Sequence, residues 1–336
     1  MPVRIAAIAA LLLLAPITGL RADPFLADFA YPHAVKRFDF SSQNADVWMA
    51  YMDVKPQKPN GRTVVLLHGK NFCGATWQDV IKALTSAGYR VVAPDQIGFC
   101  RSAKPAGYQM SLHQLAANTH ALLASLGLDK PIVMGHSMGG MLAMRYALQY
   151  PDDTGALVLV NPIGLEDWTE KGVPPATIDA LYAKEQKTDA ASIKAYQEKV
   201  YYHGHWRPAY DRWVGMLASM YRGEGGKAVA WAQARATDMI QLQPVIHEIA
   251  NIKVPTLLLI GARDITALGR DRAKPEDAAK LGNYPVLARE ATAKIPGARL
   301  VTFEDLGHAP QIEAPEQFNA TLLKSLKVLL PAPNAN

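Results

Sequence analysis

The chain has 336 residues, of which 49% are hydrophobic and 19% charged. This length and composition favour one large globular domain, or a domain with an insert, and argue against a disordered chain. The formal net charge of +5 is too small to indicate a nucleic-acid-binding protein, so we expect no nucleic-acid partner. No sequence pattern indicates an oligomeric state.

The N-terminal stretch MPVRIAAIAALLLLAPITGLRA has the features of a signal peptide. A positive charge at Arg4 precedes an apolar run over residues 5–14, and Pro16 and the small residue Ala22 follow. The apolar run is short for a membrane span, so we predict that residues 1–22 are cleaved and the mature protein is exported to the periplasm or secreted, without a stable span. An uncleaved anchor is the alternative. Cleavage removes two arginines and no acidic residue, which lowers the charge from +5 to +3.

Short apolar runs that alternate with helical patterns predict a mostly parallel β-sheet in an α/β fold. Two stretches after the leader, VKRFDF and DVWMAYMDV, are expected to pair as edge strands. Further strands are predicted at residues 63–67, 90–93, 131–135, 156–160, 256–260 and 299–303. Between the second and third of these, apolar residues at helical spacing after Ser111 predict a helix capped by that serine.

The alternation stops between LVNPIG and KVPTLLLIG, where helical segments and turns occur without a convincing buried strand. This pattern predicts a helical cap over residues 163–250, inserted between two parts of a core at residues 23–162 and 251–336. The aromatic residues of the cap suit either the ceiling of a binding pocket or packing within the cap itself. Both interpretations remain open at this point.

Cys73 and Cys100 are the two cysteines of the chain, and each follows a predicted strand. An exported protein meets oxidising conditions, which favours a disulfide between them, with two free thiols as the alternative. In the chain-entropy model, such a bond stabilises the folded state by roughly 3.5 kcal/mol. It would brace the loop in which Cys73 lies.

The stretch VMGHSMGGMLAMRYA, residues 133–147, places Ser137 between two glycines where a strand-like run becomes helical. A strand that turns directly into a helix leaves little room at the corner, which explains Gly135 and Gly139. The Ser137 side chain is then forced outward, beside a helix N-terminus that favours developing negative charge. This arrangement predicts an activated nucleophile, although the motif alone also suits a plain glycine-rich turn.

A serine nucleophile needs a histidine base and an acid that orients the histidine. His308 follows the last predicted strand in FEDLGHAPQIEAP, and Asp264 follows the preceding strand in LLLIGARDITA. Loops that follow parallel strands meet at the same sheet edge, so we predict that Ser137, Asp264 and His308 form a catalytic triad. Glu166 and Asp167, which follow an earlier strand, are the alternative acids.

Two backbone N–H groups are predicted to bind the oxyanion of the tetrahedral intermediate. One belongs to Met138, at the start of the helix, and the other to Lys70 in LLHGKNFCGATW, with Asn71 as the alternative. Donors of this kind each contribute roughly 3 kcal/mol of transition-state stabilisation.

These motifs together resemble the α/β-hydrolase superfamily over nearly all of the mature chain. The matching stretches are HGKNFCGATW, PDQIGFCRSAKP, GHSMGG, GARD and GHAP, in the family's order of nucleophile, acid and histidine. The resemblance implies an eight-stranded, mostly parallel sheet with a helical cap after the sixth strand, and hydrolysis without a cofactor. It carries the catalytic roles over to Ser137, Asp264 and His308, and the oxyanion roles to Met138 and Lys70.

The stretch ALGRDRAKPEDAAKLGNY, residues 267–284, looks like an insertion relative to compact members of that family. It could form part of a pocket rim. Its mixed charges favour a solvated surface loop instead, and we expect that arrangement.

A serine at the nucleophile position argues against the aspartate-dependent dehalogenase and epoxide-hydrolase chemistry of the same superfamily. We therefore expect a carboxylesterase-like serine hydrolase that cleaves an ester of a small to medium, partly apolar, small-molecule substrate through an acyl-enzyme. The alternatives are a carbon–carbon bond hydrolase of the meta-cleavage type, a lactonase or an amidase with the same triad, and a non-catalytic binding protein. No metal is expected, because His203 and His205 have no further ligand at suitable spacing.

Overall fold

Eight strands form a single sheet in the computed structural model, which describes residues 22–330. The strands are β1 (Val35–Ser42), β2 (Ala45–Val54), β3 (Thr63–Leu67), β4 (Arg90–Pro94), β5 (Ile132–His136), β6 (Ala156–Val160), β7 (Thr256–Gly261) and β8 (Arg299–Phe303). Their order is β1-β2-β4-β3-β5-β6-β7-β8. The pairs β1–β2 and β2–β4 are antiparallel and the others parallel, which confirms the predicted fold class.

Helices cover both faces of the sheet. The α-helices of the described residues are α1 (Gln78–Ser86), α2 (Leu112–Ser125), α3 (Met138–Gln149), α4 (Ile178–Glu185), α5 (Ala190–Tyr196), α6 (Asp211–Tyr221), α7 (Gly226–Leu242), α8 (Pro275–Ala278), α9 (Tyr284–Lys294), α10 (Pro310–Glu313) and α11 (Pro315–Leu329). Ser111 caps α2 as predicted, since its Oγ accepts a hydrogen bond from the backbone N–H of Gln114 at 3.0 Å.

The alternating side chains of the buried strands divide the core into two layers. In β3, Val65 and Leu67 pack with α2 and α3, whereas Val64 and Leu66 pack with α1 and α11 on the other face. Because both faces are covered by helices, the central strands are apolar throughout rather than alternating with polar residues. The continuous hydrophobic runs in the sequence have this origin.

Helices α4 to α7 lie between β6 and β7 and form the helical insert after the sixth strand, as predicted. The limits of the predicted domains, 23–162, 163–250 and 251–336, stay predictions. Apart from Ala22, the predicted signal peptide lies outside the described residues. Within residues 22–330, no helix is both long and apolar enough to cross a bilayer.

Cys73 and Cys100 form a disulfide, with 5.9 Å between their Cα atoms. The bond joins the loop that follows β3 to the loop that follows β4. Both loops lie at the carboxyl edge of the parallel strands, so the disulfide braces the edge at which the site described below is built.

Candidate active site

Ser137 occupies a sharp turn between β5 and α3. Its backbone φ of 56° and ψ of −122° lie in a region that side chains other than glycine rarely adopt. A Cβ added to Gly135 would lie 2.0 Å from the carbonyl oxygen of Gly139, and a Cβ added to Gly139 would lie 2.1 Å from that of Leu67. The two glycines are therefore required by direct backbone contact, and they hold the serine at the head of α3.

Asp264 and His308 are in direct contact. The Oδ2 atom of Asp264 lies 2.6 Å from Nδ1 of His308, and both side chains are fully buried. The same carboxylate accepts hydrogen bonds from Asn161 Nδ2 at 2.9 Å and from the backbone N–H of Thr266 at 2.8 Å. Three donors therefore hold the carboxylate so that it can orient the imidazole and stabilise its charged form.

The other ring nitrogen of His308 is available for chemistry. Nε2 is buried and has no hydrogen-bond partner among residues 22–330, including Ser137. In the absence of substrate, hydrogen bonds between a nucleophile and its base are often long or poorly aligned. The backbone of the histidine is held on both sides, because its N–H donates to the carbonyl of Tyr201 and its carbonyl accepts from His136 Nε2, both at 2.8 Å.

The two motif histidines support this backbone rather than supply a base. Burial lowers the pKa of His68 and, more strongly, that of His136, so both imidazoles are neutral near pH 7. The Nε2 atom of His68 accepts the backbone N–H of Gln96 at 3.0 Å, and Nδ1 faces the carbonyl of Gly69 at 2.8 Å. These bonds fix the start of the loop after β3.

The loop after β3, residues 68–73, passes beside the serine. A Cβ added to Gly69 would lie 2.9 Å from the Cβ of Ser137, and Lys70 and Asn71 line the same cavity as the serine. The predicted oxyanion donors are thus on the two sides of Ser137: Met138 is the first residue of α3, and Lys70 lies in this loop. Their roles as donors stay predictions.

A cavity of about 750 Å³ opens above Ser137. Its walls come from the cap and are largely apolar, including Trp168, Leu181 and Ile193. A part-buried polar group that joins the core to the cap also lines the cavity: Lys70 Nζ lies 2.7 Å from Oε1 of Glu185, whose other oxygen accepts from Tyr221 at 2.6 Å. The cap therefore covers the cavity above Ser137, and Trp168 is one of the aromatic cap residues that line it.

Residues 265–272 also line this cavity. The expectation that the inserted stretch 267–284 is a solvated surface loop is therefore wrong for its first part. The cause lies in two guanidinium groups: Arg270 donates to the carbonyls of Ile265, Ala278 and Leu281, and Arg272 donates to the carbonyl of Pro174. These hydrogen bonds hold the segment in a compact loop that packs against the cap, so the two guanidinium groups bind backbone carbonyls and not only water.

The alternative acids have other partners. Glu166 accepts from Trp168 Nε1 at 3.1 Å and from the backbone N–H of Gly282 at 2.8 Å, and also pairs with a lysine. Asp167 lies 2.9 Å from His247 Nε2. The carboxylate in contact with His308 is that of Asp264 alone among the described residues.

Within the described part of the chain, two groups of side chains contain residue types that can bind a metal. Cys73 and Cys100 lie near Asp95, but their sulfur atoms are joined in the disulfide. Asp167, Glu170 and His247 place three ligand atoms within 4.8 Å of one another on an exposed surface. Exposed acidic groups are common without an ion, and neither group touches the cavity above Ser137.

Several residues of the site have no signal in the sequence. Asn161 holds the acid, Tyr201 contacts the histidine loop from the cap, and Glu313 accepts the backbone N–H of Gly307 at 2.8 Å. Each acts on a segment that is distant in the chain or that only the folded loop brings near. No motif or spacing could have identified them.

The known proteins to which this chain is similar are described as hydrolases. A family model described as "alpha/beta hydrolase fold" matches residues 62–315, which contain every site residue above. The solved structure of a "probable hydrolytic enzyme" from Pseudomonas aeruginosa is similar, with a TM-score of 0.90 and 54% identity, covering 92% of this chain and 99% of that chain. Lipase 1 of Psychrobacter immobilis is 27% identical over 277 residues, which are 81% of this chain and 78% of the lipase. A candidate carbamate hydrolase, RutD of Escherichia coli, is 25% identical over 283 residues, 82% of this chain and 95% of that protein.

Proposed function

The chain belongs to the α/β-hydrolase family, and we propose that it is a serine hydrolase that cleaves carboxylic esters through an acyl-enzyme. The observation that carries this proposal is the buried Asp264–His308 pair, whose free Nε2 atom shares one sheet edge with the strained Ser137 turn. A histidine oriented by a carboxylate and a serine held at a strand-to-helix corner together supply a base and a nucleophile.

In the proposed reaction, Ser137 Oγ attacks the ester carbonyl carbon while its proton passes to His308 Nε2. The negative charge that develops on the carbonyl oxygen is held by the backbone N–H groups of Met138 and Lys70. His308 then protonates the departing alcohol, leaving the acyl group on Ser137. A water molecule, activated by His308, attacks this acyl-enzyme and releases the acid and the free serine.

The proposed substrate is small to medium in size and partly apolar. A cavity of about 750 Å³ lies within the range of pockets that enclose drug-sized ligands. Its apolar cap residues favour a hydrocarbon part of the substrate, and the Lys70–Glu185 pair offers one polar point near the nucleophile. The similarity to Lipase 1 supports ester cleavage in this pocket, and the similarity to a "probable hydrolytic enzyme" supports hydrolysis.

We also propose that the mature protein is exported. The signal-like leader at residues 1–22 supports this proposal, as does the Cys73–Cys100 disulfide, because such bonds persist in oxidising compartments. Expression of the full chain in a bacterial host tests it. Export predicts cleavage after residue 22 and a periplasmic or secreted product, whereas a full-length product that stays in the cytoplasm would contradict it.

The experiment that tests the reaction is labelling of the mature protein by a fluorophosphonate, beside hydrolysis of p-nitrophenyl esters of increasing acyl length. We expect labelling and turnover of short and medium esters, and loss of both in Ser137→Ala and His308→Ala. Labelling without ester turnover would favour amide, lactone or carbon–carbon bond substrates. A well-folded protein that is not labelled would contradict the proposal and favour a binding protein.

A further inference from the structure

Tyr201 is a cap residue that contacts two segments of the reaction centre. Residues Gln197–Tyr201 form a single π-helical turn at the end of α5, a rare geometry that often occurs at functional sites. Tyr201 is 4% exposed and lines the cavity that contains Ser137. A buried side chain of the cap thus lines the cavity that contains the nucleophile.

Tyr201 holds the loop of His308 through its backbone and its ring. Its carbonyl oxygen accepts the backbone N–H of His308 at 2.8 Å. This approach is so close that a Cβ at Gly307 would lie 2.1 Å from the same oxygen. The Tyr201 ring also lies over the imidazole, with 4.5 Å between the ring centroids.

The same residue holds the loop after β3, which contains Lys70, one of the two predicted oxyanion donors. Asn71 Nδ2 donates a hydrogen bond of 2.8 Å to the phenolic oxygen of Tyr201, and the ring of Phe72 stacks on the tyrosine with a centroid distance of 5.8 Å. Asn71 directly follows Lys70. The phenol of Tyr201 therefore contacts the loop at the residue next to Lys70, a predicted oxyanion donor.

We propose that Tyr201 is a positioning residue that fixes the loop after β3 relative to the base. Its hydroxyl accepts a hydrogen bond from Asn71 in that loop, and its carbonyl accepts one from the backbone N–H of His308. The inference rests on the proposed serine hydrolase function. Misplacement of donors by a fraction of an ångström weakens their interaction with the transition state more than substrate binding. Loss of the hydroxyl is therefore expected to lower kcat and leave KM nearly unchanged.

Simple packing is the competing explanation, because Tyr201 belongs to an aromatic cluster with Phe72, Tyr202 and Tyr210. If packing were its whole role, the hydroxyl would be dispensable. The neighbouring Tyr202 offers a matched control, since it is fully buried in the same cluster and its hydroxyl has no hydrogen-bond partner among the described residues. Tyr202→Phe therefore removes a phenolic hydroxyl, as Tyr201→Phe does, but breaks no hydrogen bond to the loop after β3 or to the loop of His308.

The test compares Tyr201→Phe, Asn71→Ala, the double variant and Tyr202→Phe in full-length mature protein. Three quantities are measured: kcat and KM for a p-nitrophenyl ester, and the inhibition constant of an alkyl trifluoromethyl ketone. The ketone adds to Ser137 and forms a tetrahedral oxyanion, so it reports on the donors directly. Thermal unfolding of each variant establishes that it is folded.

We expect Tyr201→Phe and Asn71→Ala each to lower kcat about 10-fold with KM changed less than about twofold. The ketone should bind about 10-fold more weakly in both, and the double variant should be no worse than the more impaired single variant, because both single variants remove the Asn71–Tyr201 hydrogen bond. Tyr202→Phe should match the wild type.

Three results would overturn the inference. Tyr201→Phe could behave like Tyr202→Phe, it could raise KM with kcat unchanged, or its effect could simply add to that of Asn71→Ala. In each case the wild type remains an active hydrolase and only the role of Tyr201 is refuted. A folded wild type that reacts with neither ester nor fluorophosphonate would refute the proposed function, and the inference with it.

Discussion

We expect Glu313 to make the folded protein less stable as the pH rises. Its side chain, at the end of α10, is 6% exposed. Burial raises its pKa from the ordinary value of 4.5 to about 7, despite the hydrogen bond that its Oε1 accepts from the backbone N–H of Gly307. The His203 side chain lies close to it, with Nε2 3.4 Å from Oε2 of Glu313.

The magnitude follows from linkage between protonation and folding. Between pH 4.5 and about 7 the folded chain keeps a proton on Glu313 that the unfolded chain releases. The free energy of unfolding therefore falls as the pH rises, by about 1.4 kcal/mol for each pH unit in this window, or about 3 kcal/mol in total. The effect is complete above about pH 7.

Glu313→Gln isolates this effect, because the amide resembles the protonated carboxyl and does not ionise. We expect the difference in the free energy of unfolding between the variant and the wild type to increase by about 3 kcal/mol, in favour of the variant, from pH 4.5 to pH 8. The comparison is needed because burial lowers the pKa of His203, whose titration changes stability in the opposite sense within the same window.

The assay is urea unfolding followed by tryptophan fluorescence at several pH values, with Glu316→Gln as the control for the same change at an exposed position of the next helix. Equal pH dependence in the wild type and Glu313→Gln would refute the reasoning. It would mean that Glu313 is ionised in the folded protein at pH 5 to 7, for instance through a charged partner such as His203.

Three further changes test the site and its support. Asp264→Asn should lower kcat by about 10⁴-fold in ester hydrolysis, because the amide favours the wrong tautomer of His308; near-normal turnover would refute its role. Gly139→Ala places a Cβ 2.1 Å from the Leu67 carbonyl oxygen, so we expect a loss of about 3 kcal/mol or more in urea unfolding, whereas Gly107→Ala, which meets nothing within 4 Å, should be neutral. Replacing both cysteines by serine should cost about 3.5 kcal/mol in the same assay, and an unchanged midpoint would contradict the bracing role of the disulfide.

Local patterns predicted most of the fold. Each predicted parallel strand lies within one residue of an observed strand, because fully buried strands need uninterrupted apolar runs and such runs are visible in the chain. The Ser137 corner was equally visible, since backbone contacts 2.0 and 2.1 Å from an added Cβ leave glycine as the residue that fits on either side. Local sterics and burial act on neighbours in the chain, so the chain records them.

Contacts between distant segments were not predictable in this way. The mixed charges of residues 267–284 favoured a solvated loop, but Arg270 and Arg272 satisfy backbone carbonyls within that segment and in the cap, which draws residues 265–272 into the cavity wall. A guanidinium has the same sequence signature whether it faces water or a set of carbonyls. Only the folded position of those carbonyls distinguishes the two.

The α/β architecture, the helical insert after the sixth strand and the candidates Ser137, Asp264 and His308 could be predicted from the sequence, because strand burial, corner sterics and the order of motifs are visible along the chain. Tertiary structure alone decided which carboxylate touches His308, what lines the cavity, and that Asn161, Tyr201 and Glu313 support the site. Some of those contacts join residues more than a hundred positions apart, such as Asn161 and Asp264. Their energies depend on distances that exist only after the sheet has brought its loops to one edge.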